Sequence, residues 1–78
     1  MLNKTHIQTL TRTPPDQNRL ARAIELAGVT QTAVGLDLGW PSSYVSDCTR
    51  ARYTDMSLKN ARKYARYFGV PIEVLFPE

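Results

Sequence analysis

A chain of 78 residues has room for one domain with a single small core, because a domain of this size buries only about 60% of the surface it exposes when unfolded. A deep cleft between subdomains, or any architecture of several βαβ units, is thereby excluded. An apolar fraction of 42% with 22% charged residues argues against disorder, and a net charge of +3 hints at a polyanionic partner without identifying one.

Residues 1–15 show no helical period and end in Thr13-Pro14-Pro15, which fixes extended backbone. They read as an arm. Thr5 to Thr11 is rich in β-branched residues and alternates about Ile7, so it forms a short strand if something pairs with it; disorder is the favoured expectation. From residue 16 to residue 78 the pattern is helical. A first helix is predicted over Asp16 to Ala27, with Leu20, Ala23, Ile24 and Ala27 on one face and Gly28 as its stop. Thr30 offers a side-chain oxygen to cap a second, Gln31 to Leu38, which ends at Gly39. Pro41 opens a third that runs to Cys48, since proline is favoured in the first helical turn. Arg50 to Met56 has no period and reads as a loop. Leu58, Ala61, Ala65 and Phe68 then mark a fourth helix closed by Gly69, and a fifth, Pro71 to Phe76, places Ile72 and Leu75 on one side. The expected fold is all-α: five short helices, with an extended amino-terminal arm over 1–15 and a helix-turn-helix domain over 16–78.

The informative segment is Thr30 to Ala51. Two short helices joined by a turn headed by glycine make a helix-turn-helix, and its geometry demands residue types at fixed places. Gly35 is small where the two helices approach, Gly39 tolerates the positive φ of the turn, and Val34, Leu38, Trp40, Val45 and Cys48 fall where side chains point into the core.

At these residues the sequence resembles the lambda-repressor-like helix-turn-helix family, the Cro and XRE type of bacterial and phage transcription regulators. The similarity extends from about Arg19 to Pro77 and includes Ala27-Gly28-Val29-Thr30-Gln31, the Leu58, Ala65, Phe68, Gly69-Val70 pattern and the closing Leu75-Phe76-Pro77. The resemblance implies that the third helix enters the DNA major groove, that the second lies across the phosphate backbone, and that the protein binds a double-stranded operator as a two-fold homodimer. Carried over to this chain, Ser42, Ser43 and Asp47 face base edges, with Tyr44 and Ser46 flanking them. Thr30 and Gln31, at the start of the second helix, fall at phosphate-contacting positions. Two serines and an aspartate give thin direct readout compared with the bidentate pairing of Gln, Asn or Arg. Between Thr49 and Tyr53 the family's acidic residue and glycine are both missing. A basic loop survives, in which Arg50, Arg52 and Tyr53 reach phosphate oxygens, as Lys59 does from the start of the fourth helix. Arg62, Lys63 and Arg66 read as a solvated helix face.

Other chemistry is absent from the pattern. Cys48 lacks a second cysteine and lone His6 sits in the arm, so no zinc site or Cys-His nucleophile can be assembled, and the seven carboxylates are scattered. Trp40 and Tyr64 read as core residues rather than a base-stacking platform. No enzyme and no cofactor are expected. The unpaired cysteine, with no apolar run of membrane-spanning length and no secretory signal, points to a soluble cytoplasmic protein near the nucleoid with no membrane partner.

The expected function is sequence-specific transcription regulation, as a repressor acting by operator occupancy. Two alternatives stand beside it: an antitoxin whose arm holds a toxin, and a helix-turn-helix used only for protein contacts. In the fifth helix, Ile72 and Leu75 face the core, which leaves Val74 and Phe76 without an interior partner; that pair is the expected dimer interface.

Overall fold

Helices begin in this chain where a side chain or a proline prepares the first turn. The structure, a computed structural model, describes residues 2–14, 19–50 and 56–76. Six helices are present among them, and no strand: α1 (Lys4–Arg12), α2 (Arg19–Ala27), α3 (Gln31–Leu38), α4 (Ser42–Cys48), α5 (Leu58–Phe68) and α6 (Ile72–Leu75). Thr30 and Ser57 cap α3 and α5 by accepting from Ala33 N–H and Asn60 N–H at 3.0 and 3.2 Å. Pro41 and Pro71 stand one position earlier than expected, as the extended residues that precede α4 and α6.

The amino-terminal segment corrects the sequence reading. It is a helix, neither disordered nor a strand. Asn3 accepts from His6 N–H at 2.9 Å while His6 Nδ1 accepts from Asn3 N–H at 3.3 Å, a reciprocal capping box with histidine in the usual place of Glu or Gln. The threonines that suggested β structure are accommodated because Thr9, Thr11 and Thr13 donate their hydroxyls to the carbonyls of Thr5, Ile7 and Thr9. The helix ends at Arg12, with Thr13 extended before Pro14.

Helix α1 packs on α2 and α6, with Leu10 fully buried and Leu2 buried beside it, its N–H donating to Phe68 O at 3.0 Å. The Arg19 guanidinium fastens this arrangement. Its Nε, Nη2 and Nη1 donate to the carbonyls of Thr13, Thr11 and Val74 at 3.0, 3.1 and 3.0 Å, so one side chain joins the end of α1 to α6. The same core holds Leu20, Ala23 and Ile24 of α2, Val34 of α3, Val45 and Cys48 of α4, Tyr64, Ala65 and Phe68 of α5, and Leu75.

Val74 and Phe76 require a second correction. Both are only partly exposed and pack against the core, with the Phe76 ring 6.3 Å from that of Tyr64. Val74 packs on the core and Phe76 on the Tyr64 ring, partners from other elements that a helix-period argument could not foresee. Among the described residues, the large apolar side chains left exposed are Leu36 and Leu58, at 78% and 60%.

Candidate nucleic-acid interface

The α3–turn–α4 unit is set by two glycines. Gly39 adopts φ 79°, and both its N–H and that of Trp40 donate to Gly35 O, the latter at 2.8 Å. A Cβ on Gly35 would lie 2.5 Å from the Trp40 carbonyl oxygen, a backbone atom with no rotamer by which to escape. Glycine at this helical position therefore costs propensity and permits the crossing of α3 and α4.

The inner side of α4 is fixed by more than burial of Val45 and Cys48. Tyr44 stands edge-on to Trp40 with ring centroids 5.0 Å apart, and its hydroxyl accepts from Asn60 Nδ2 at 2.8 Å. Trp40 in turn packs 5.1 Å from Tyr64, and Lys63 Nζ lies 4.8 Å from the Trp40 ring while donating to Leu38 O at 3.4 Å. One turn further along, Tyr67 donates its hydroxyl to Asp37 Oδ2 at 2.8 Å. Partial burial, reinforced by the bond to Asp37 and its negative charge, pushes the Tyr67 hydroxyl above its ordinary 10.0. Asn60, Lys63 and Tyr67 thus form one stripe of α5 that holds both helices of the motif. The sequence reading missed this stripe and took Lys63 for a solvated charge; its one signal was the i, i+3, i+7 spacing of groups able to donate.

The outward side of α4 is polar and lightly committed. Ser42 and Ser43 are exposed, and Ser46 and Asp47 continue the same face. Arg50 follows one turn after Asp47, and the two are joined at 3.3 Å. Arg50, expected at a phosphate, therefore sits in line with the base-reading candidates, with its charge partly offset by Asp47. Tyr44 lies apart from this face, turned toward Trp40 and Asn60. At the edge of the face, Gln31 Nε2 is 3.4 Å from Thr49 Oγ1, which donates to Ser46 O at 2.6 Å, so Thr49 ties the end of α4 to the start of α3. Thr30 Oγ1 accepts from Ala33 N–H and keeps its own proton to donate. Lys59 is exposed at the start of α5. Arg52 and Tyr53 lie outside the described residues. No group of three or more His, Cys, Asp or Glu able to hold a metal occurs among the described residues, and none of the helices described is long and apolar enough to cross a membrane.

The helix-turn-helix family profile matches residues 20–75, and the chain belongs to that family, the Cro-type, XRE-like, lambda-repressor-like proteins. It is a family of DNA-binding transcription regulators, and its domain is non-enzymatic. No curated protein and no solved structure gives a match.

Proposed function

We propose that this chain is a sequence-specific regulator that binds a pseudo-palindromic operator as a homodimer and represses by occupancy. The observation that carries the reading is the division of α4: one side anchored to Trp40 and α5, the other presenting Ser42, Ser43, Ser46, Asp47 and Arg50 to solvent. Such a helix enters a major groove without surrendering its own packing. In the bound state a phosphate or a guanine edge displaces Asp47 from Arg50, and Asp47 is freed to accept from a cytosine N4. Thr30, Gln31, Lys59, Arg52 and Tyr53 complete the reading as phosphate contacts that position the helix. The serines read weakly, so DNA shape carries part of the specificity. Dimerisation about a two-fold axis sets half-site centres about 34 Å apart, roughly one turn of duplex.

Selection of bound duplexes from a random pool tests this directly. The expected result is enrichment of an inverted repeat with half-sites about 10 base pairs apart. Enrichment of unpaired half-sites removes the dimer from the proposal, and no enrichment at all removes sequence-specific binding.

A further inference from the structure

A second surface lies on α5, away from the stripe that holds the motif. Leu58, Arg62 and Arg66 recur every four residues and so form one ridge along the helix. That ridge is about a third of a turn round from Asn60, Lys63 and Tyr67. All three of its side chains are exposed, Leu58 at 60%, and neither arginine makes an ion pair among the described residues. Beside the ridge runs an open groove of about 410 Å³ between Arg62 and Arg66 on one side and Gly69, Val70 and Pro71 on the other, with Ala65 at its floor.

We propose that this ridge and groove dock an acidic amphipathic helix of another protein. Three observations select that occupant. Two unpaired guanidiniums one turn apart match carboxylates spaced by one turn on a facing helix, each able to form a paired hydrogen bond. Exposed Leu58 at one end of the ridge and exposed Pro71 on the far wall of the groove accept apolar side chains, which a phosphate backbone does not offer. A second copy of this chain, docking through the same patch about a two-fold axis, would bring arginine against arginine. The assignment stands independently of what α4 reads.

The test uses the full chain, isotopically labelled for amide spectra, and a synthetic helical peptide bearing glutamates four residues apart beside a row of leucines. Saturable shifts are expected at Leu58, Arg62, Ala65, Arg66, Gly69 and Val70, leaving Ser42 to Arg50 unmoved. The double reversal Arg62→Glu with Arg66→Glu should weaken the peptide by about tenfold or more, while duplex affinity, which feels only the fall in net charge, drops less and recovers with added salt. Both side chains are exposed, so the variant should keep its helical circular dichroism; Arg62→Gln with Arg66→Gln provides the same comparison at neutral charge. The proposal is overturned by absence of saturable binding, by shifts confined to α4, or by a double reversal that loses duplex affinity while retaining the peptide. The last result would assign the ridge to phosphate.

Discussion

The motif and the amino-terminal helix differ in how much of their geometry is set within the segment itself. Between Thr30 and Arg50 the bonds that shape the helices and the turn are local: the Thr30 cap, the two donors on Gly35 O, and the Asp47–Arg50 bridge span only a few residues each. The α5 stripe of Asn60, Lys63 and Tyr67 then fastens the shaped unit to the core. Helix α1 also has local caps, but its position depends on distant groups. Leu2 bonds to Phe68, and Arg19 spans from Thr11 and Thr13 to Val74. The motif is therefore a preformed binding unit whose outward side chains can vary, whereas α1 is a keystone whose loss exposes the core from beneath it.

If that contrast is right, the largest effect should come from a residue far from the motif. Leu10→Ala removes a fully buried side chain and should cost about 3–4 kcal/mol in urea unfolding, with α3 and α4 lost in the same transition as the rest. A loss below about 1 kcal/mol would make α1 an appendage. Arg19→Lys keeps the charge but cannot span three carbonyls, and about 2 kcal/mol should be lost. Gly35→Ala tests the local side of the comparison. The clash with Trp40 O should cost about 3 kcal/mol against roughly 1 gained in helix propensity, a net loss near 2 by the same assay. The smallest effect concerns pH. Tyr67 binds its proton more tightly when folded, so its contribution is complete below the ordinary tyrosine value of 10.0 and is lost as pH rises through the higher folded value. Alkaline unfolding of Tyr67→Phe should lack that component.

The difference between the two regions also explains what could be read from sequence. Gly39, Thr30 and the period of Val34, Leu38 and Val45 are signals within one or two turns, and α3 was placed with the bounds Gln31–Leu38 that the structure shows. The segment Thr5 to Thr11 looks β-branched in isolation; its helix depends on hydroxyl bonds to the preceding turn and on burial of Leu10 against elements later in the chain. Val74 and Phe76 look unpartnered in the sequence for the same reason, since the core they pack against, Tyr64 included, comes from other elements. The candidate site was half legible. The outward residues of α4 follow from helical spacing, but the inward turn of Tyr44 needs Asn60, which no pattern within α4 reveals.

The central claim, that the outward face of α4 meets duplex DNA, is tested most directly by the salt dependence of duplex binding in Arg50→Ala. Each phosphate neutralised contributes about 0.9 to the slope of log K against log salt. The account predicts weaker binding with a slope reduced by about that amount if Arg50 meets phosphate, or weaker binding with relaxed base preference and an unchanged slope if it reads a base. Affinity, slope and base preference all indistinguishable from those of the parent chain would contradict it.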